Sequence, residues 1–248
     1  MFRYKAIIEY EGSLFAGWQK QNSSPTIQSC LEDAIKKYCL YEVNIEGAGR
    51  TDSGVHAFGQ VIHFDLKEKR DLAETQNAIN FHLRPNPISV LDIIHVKQDF
   101  HARFEAIQRQ YLYRIIIRSA PPALERGRVW WVSKELSLEK MQMAGNFLIG
   151  KHDFSTFRSS QCQANSPIRT IDSFEVSSNN GEINFFIKAK SFLHKQVRSM
   201  IGSVKFVGEG KWTTDQFLSA FKSCDRNQCA KLAPPDGLYL YKVVYPER

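Results

Sequence analysis

Asp52 stands in a ten-residue stretch, Ala48-Gly49-Arg50-Thr51-Asp52-Ser53-Gly54-Val55-His56-Ala57, that holds one carboxylate, one guanidinium and one imidazole between two apolar runs. A carboxylate can serve as nucleophile, or as acid or base once its surroundings set its charge. Glycines on either side let the backbone turn sharply and hold this short side chain at a loop tip. Loops on rigid scaffolds are where catalytic groups concentrate. Taken alone, an Asx-type turn explains such an aspartate more simply. Asp52 and His56 share the i, i+4 spacing of a helical metal pair, but Gly54 and the loop context argue against a helix, and no third ligand stands nearby.

Three further groups could handle an anion or a base. On a strand, Arg109, Tyr111 and Tyr113 share one face, where a guanidinium and aromatic rings can hold phosphate and stack an unpaired base. The competing reading is a tyrosine pair that only packs on a half-buried strand. His194, Lys195 and Arg198 lie together at i, i+1 and i+4 at a helix start, either a phosphate clamp or a solvated face. Arg158 and Arg169 flank a polar loop whose Cys162 has no activating partner in the sequence.

The elements that must position these groups follow from periodicity and turn chemistry. Phe2–Tyr10 alternates as a strand, and Thr26 caps a helix running to Cys39. Val43–Glu46 and Gly59–Leu66 read as strands on either side of the Asp52 loop. Asp71 with Glu74 opens a helix that stops before Pro85, and Ile88–Val96 closes the first half. In the second half the strands are Arg109–Ile117, Val129–Val132, a hairpin of Ile168–Val176 with Ile183–Phe192 turned at Asn180-Gly181, and Leu238–Val244. Helices begin at Ser137, around Val197 and at Thr213, whose Gln216 completes a capping box. The element order in each half is β-α-β-β-α-β, the ferredoxin-like order, with one helix added in the second. The expected fold is therefore α+β: two ferredoxin-like halves, 1–100 carrying the Asp52 loop and 101–248, with mainly antiparallel sheets and a basic central cleft.

Composition narrows the partners. The 248 residues include 33 Lys and Arg against 26 Asp and Glu, a formal charge of +7, which favours a polyanion and nucleic acid first. The start has no signal-peptide pattern and no apolar run reaches membrane-spanning length. Five cysteines without a CxxC pair support neither a disulfide framework nor a zinc site and suit a reducing cytoplasm. There is no dinucleotide fingerprint and no GxxxxGK[ST] phosphate loop.

Several stretches together resemble the tRNA pseudouridine synthase A family. They are Tyr10 to Gln21 followed by Thr26-Ile27-Gln28, Ala48 to Gln60, Arg109 to Tyr113, Phe192 to Gly202 and Pro234 to Leu240, in the family's order along nearly the whole chain. Glu11 stands where the family often has aspartate, and Ser199 where asparagine is common. The resemblance implies isomerisation of uridine to pseudouridine at positions 38 to 40 of the tRNA anticodon stem-loop, after base flipping, by a homodimer that needs no cofactor and no metal. By matching position it implies Asp52 as the catalytic aspartate and Tyr111 stacked on the target base. It also implies Arg50 and Arg198 beside Asp52 and the flipped nucleotide, Arg169 among the substrate contacts and Leu238 packed under the tyrosine. Two rival readings are a non-catalytic RNA-binding module, which has no need of Asp52, and an acid–base hydrolase using Asp52 with His56.

Overall fold

The computed structural model describes residues 1–21 and 24–247, which form ten strands and five α-helices in a mixed α+β arrangement. The chain divides into two compact units, Met1–Ile107 with Tyr239–Arg248, and Gln108–Leu238. The first stretch thus runs a few residues past position 100, and the chain's last strand returns to the first unit.

In the first unit, β1 (Phe2–Tyr10) is the centre of a ladder. It pairs antiparallel with β3 (His56–Leu66) on one side and with β4 (Ile88–Val96) on the other. The free side of β3 is shared: β10 (Leu238–Val244) runs parallel along His56 and Ala57, and β2 (Glu46–Gly47) runs antiparallel along Ile62 and His63. The sequence places a strand at Val43–Glu46, but pairing is confined to Glu46–Gly47. Val43 and Ile45 are buried without joining a ladder, so their apolar character serves packing alone.

Helix α1 (Ile27–Cys39) starts where Thr26 accepts from the Ser29 amide while Ser29 bonds back to Thr26, a capping box built with serine rather than glutamate. Helix α2 (Leu72–Leu83) is capped by Asp71 and ends at Arg84, which takes the extended conformation that a following proline imposes. Both helices lie on the face of β1 that presents Tyr4: the Tyr4 hydroxyl accepts from the Arg70 amide, Arg70 covers the Tyr38 ring of α1, and Tyr38 bonds Thr75 of α2. The opposite face carries Arg3, Lys5 and His63 and is covered by the 97–107 segment. Arg3 donates to the Phe100 carbonyl at 2.9 Å, and Lys5 lies over the Phe100 and Tyr245 rings.

His63 gives this face a pH dependence. Burial first, then the Arg3 guanidinium and the neighbouring His101 ring against the weaker pull of Asp65 and Glu105, hold its pKa down to about 4 from 6.5. Between those values the unfolded chain binds a proton that the folded chain refuses. The stabilisation is therefore complete above about pH 6.5 and lost as pH falls towards 4. At 1.36 kcal/mol per pH unit the loss is about 3 kcal/mol. Denaturant midpoints between pH 7 and 4 test it: His63→Asn, whose amide oxygen can still accept from the Ala102 N–H, flattens the slope. An unchanged slope places the acid sensitivity elsewhere.

In the second unit, β5 (Gln108–Ile117) pairs antiparallel with β9 (Glu182–Ala189), β9 with β8 (Ile168–Asn179), and β8 with β7 (Gly150–Asp153). A short β6 (Trp130–Val132) runs parallel to the end of β5. Asn180 and Gly181 both have positive φ, 50° and 79°, which joins β8 to β9 by the tight turn expected of Asn-Gly. Helices α3 (Leu138–Asn146), α4 (Gln196–Gly208) and α5 (Thr214–Lys222) complete the unit, the first and last capped by Ser137 and Thr213 as the sequence indicates. Strand β7 escapes sequence reading because only four residues pair and none of them is apolar.

Candidate active site

The loop between β2 and β3 is seated by its main chain. Ala48 N–H donates to the Val61 carbonyl at 2.8 Å, and the Thr51 carbonyl accepts from Trp18 N–H at 3.0 Å. The Asp52 carbonyl accepts from Val55 N–H at 3.2 Å, closing a turn whose third residue, Gly54, has φ +78°. That is the left-handed geometry of a type II turn, which suits glycine. Side chains finish the seating. Fully buried Gln60 donates to the Gly49 carbonyl at 2.7 Å and accepts from Val61 N–H, the Tyr10 hydroxyl meets Thr51 Oγ1 at 2.8 Å, and Ser53 donates to the Phe15 carbonyl. Asp52 is left half-buried and Arg50 exposed, on a backbone held from both sides.

His56 serves this seating. Its ring is buried and stacked on Tyr239 at 4.6 Å, and Nδ1 accepts the Gly12 N–H at 2.9 Å. Glu11 lies 3.5 Å from the same nitrogen, but a nitrogen that accepts an amide proton carries none of its own, so this is a hydrogen-bonded neutral ring rather than an ion pair. A buried imidazole spent on backbone is a poor acid–base partner for Asp52, which weighs against the hydrolase reading. Among the described residues no group of three or more His, Cys, Asp or Glu side chains could hold a metal ion.

In the second unit the two strand tyrosines part ways. Tyr111, opposite Ile187 in the β5–β9 ladder, is half-buried with its ring edge-on to Phe192 at 5.1 Å. Tyr113 is fully buried and donates to the Pro234 carbonyl at 2.9 Å; burial pushes its phenol pKa well up. It is a core anchor, leaving Tyr111 as the ring a base could meet. Arg109 donates to the Lys190 carbonyl.

Sequence reading places His194, Lys195 and Arg198 on one helical face; α4 instead begins at Gln196. Lys195 takes a left-handed φ of 61°, and the buried Gln196 side chain accepts from Leu193 N–H, so His194 and Lys195 lie before the helix. Arg198 is on the first turn, where Nε donates to the Ala233 carbonyl at 2.8 Å while Ala233 N–H donates to the Arg198 carbonyl. This double contact sets the 231–238 segment, which ends at buried Leu238.

Arg169 donates to the carbonyls of Ser166 and Ile168, and burial lowers its pKa from the usual guanidinium value. Arg158 donates to the carbonyls of Cys162 and Ala164, so both arginines brace the 159–167 loop. Cys162 gains the partner its sequence context lacks. Burial raises its thiol pKa, but the amides of Ala164 and His194 and the Arg158 guanidinium more than offset this and bring it below the ordinary value.

Gln60 and Tyr10 escape sequence reading as supports of the loop. The available signal is phase: Gln60 falls in step with Ile62 and Phe64 on the buried face of β3, where a polar side chain needs a partner.

A loop that seats one half-buried carboxylate, with aromatic and cationic groups on a separate unit, fits an enzyme acting on a polyanion. The family model described as tRNA pseudouridine synthase matches residues 6–105 and 144–246. A Rhodospirillum rubrum protein is 48% identical over 246 residues, covering 99% of this chain and 88% of that protein. One from Maricaulis maris is 49% identical over 99% of each chain, and one from Parvibaculum lavamentivorans is 48% identical over 99% of this chain and all of its own. All three bear the name tRNA pseudouridine synthase A. The chain belongs to the tRNA pseudouridine synthase family, and so is an isomerase.

Proposed function

We propose that this chain converts uridine to pseudouridine at positions 38 to 40 of the tRNA anticodon stem-loop, with Asp52 as the catalytic carboxylate. The observation that carries this is the seated turn: main-chain bonds on both sides of Asp52, reinforced by Gln60 and Tyr10, give a single carboxylate a set position. In this reading the two halves are ferredoxin-like with mainly antiparallel sheets, 1–100 carrying the catalytic loop and 101–248 the other contacts, and tRNA meets a basic cleft. The protein works as a cytoplasmic homodimer without a cofactor.

The reaction breaks the N1–C1′ bond, turns the uracil and joins C5 to C1′, with the C5 proton removed and N1 taking up a proton so that the product is an isomer. The target nucleotide must first leave the stack, at a cost of a few kcal/mol, which cationic contacts to phosphate offset. Three routes use an ionised Asp52: attack at C6 of the ring, attack at C1′ of the sugar, or removal of a 2′ proton. Tyr111 stacks on the target base with its hydroxyl as acceptor of the C5 proton, and Leu238 packs beneath it. Arg50 and Arg198 hold the flipped nucleotide and favour the charged carboxylate, and Arg169 holds the RNA further out.

Incubation of the protein with an unmodified tRNA transcript, followed by pseudouridine mapping, tests the reading. Product at positions 38 to 40 supports it, and a tRNA without pseudouridine there overturns it. Arg198→Ala should weaken tRNA binding and reduce the slope of log K against log salt by about 1. An unchanged slope removes Arg198 from the phosphates.

A further inference from the structure

The helix-free face of the first unit's sheet ends in a column of rings. His63 of β3 is buried; its ring centroid is 4.7 Å from that of half-buried His101, which is 4.3 Å from that of Phe104. Phe104 is 72% exposed, with the Arg103 guanidinium 5.6 Å from the ring centroid. The column thus runs from the core into solvent and stops at an aromatic ring beside a cation.

An exposed phenylalanine on a loose loop would mean little. This loop is held tightly. Ala102 N–H donates to His63 Nδ1 at 3.2 Å, and Arg103 N–H donates to His101 Nδ1 at 3.2 Å. His101 N–H donates to Glu105 Oε1 at 2.7 Å, Glu105 N–H donates to the His101 carbonyl at 3.1 Å, and the Tyr245 hydroxyl donates to the Ala102 carbonyl. Both imidazoles accept at Nδ1, so neither end of the column's inner part carries a proton there. Five bonds, two of them to His63 and Tyr245, set residues 101–105, whose outermost ring packs little of its surface on the protein. A ring set in place beforehand beside a cation binds a flat partner with little ordering cost.

We propose that Phe104, backed by His101 and flanked by Arg103, is a stacking platform for an unpaired base of the RNA substrate, separate from the target base assigned to Tyr111. Every base offers a π-face, so stacking is tolerant of sequence and adds to the salt-dependent hold of the cations. The net charge of +7 favours the same partner. This inference rests on RNA being the substrate, and extends the contact surface beyond the catalytic loop.

The test measures Kd for an unmodified tRNA transcript at several salt concentrations, beside the rate of pseudouridine formation, for the wild-type protein and for Phe104→Ala, Phe104→Leu and Phe104→Trp. Phe104→Ala is expected to weaken binding about ten-fold with the salt slope unchanged, Phe104→Leu to behave like it, and Phe104→Trp to bind as wild type. A ring so exposed adds little to the core, so thermal unfolding stays near the wild-type midpoint. Wild-type affinity for Phe104→Ala, or Phe104→Leu binding as well as phenylalanine, overturns the platform. So does sedimentation showing that Phe104→Ala splits an oligomer while affinity per protomer is kept, which would make the ring a contact between copies. Wild-type protein that binds tRNA through Phe104 yet makes no pseudouridine would leave the platform standing and sink the catalytic reading instead.

Discussion

Asp52→Asn should abolish pseudouridine formation, by about 10⁴-fold or more, while affinity for tRNA stays within a few-fold. An amide has nearly the shape of the carboxylate but cannot ionise, so each of the three routes loses its acting group. The loop itself should persist. It is held by the Ala48 and Val55 amides, the Gly49, Thr51 and Asp52 carbonyls and the side chains of Gln60, Tyr10 and Ser53, and none of these bonds uses the Asp52 carboxylate. Tritium release from 5-tritiated uridine in tRNA reads the chemistry, and filter binding reads the affinity. Retained release would sink the assignment of Asp52. Loss of binding in step with release would show that the carboxylate holds RNA instead of acting on it.

The second large effect is expected of Gly12→Ala. A Cβ added at Gly12 would sit 2.0 Å from the Val55 carbonyl oxygen and 2.5 Å from its carbon, well inside contact distance and against backbone. Val55 closes the Asp52 turn, and the Gly12 amide also holds His56. Relief of the clash must therefore move the Asp52 turn or the strand that follows it. Displacement by about 1 Å costs about 10²-fold in rate, and overpacking costs about 1–3 kcal/mol in stability. Gly49→Ala is the control within the same motif: its Cβ would meet nothing within 4 Å and its φ is ordinary, so its unfolding midpoint should match the wild type. Single-turnover rates and thermal unfolding of both variants decide the point. A Gly12→Ala protein as fast as wild type would mean that the turn is not seated through this contact.

Much of the local structure was legible in the residues. Thr26, Asp71, Ser137 and Thr213 each cap the helix that their spacing announces, because a cap is a bond between residues three apart. Asn180-Gly181 makes its hairpin for the same reason. The Asp52 loop was visible as glycine, charge and neighbouring strands, although β3 begins at His56, three residues before its alternation suggests. Pairing with Tyr10 and Tyr239 extends it, and neither partner is near in sequence.

What sequence alone determined about this protein is therefore the family's motif set, the identity of its candidate carboxylate and the kinds of element around it, all carried by short-range spacing. Tertiary structure decided how those residues divide the work. Tyr111 and Tyr113 are two residues apart on one face, yet the Pro234 carbonyl takes one into the core while the other keeps a half-exposed ring. His56 stands four residues from Asp52, yet the Gly12 amide and the Tyr239 ring turn it into a structural support. Lys195 breaks an apparent helical face by adopting a left-handed φ that no pattern announces. For the tyrosines and His56 the deciding contact comes from a distant segment, and burial with its hydrogen-bond requirement is a property of the folded neighbourhood rather than of the residue.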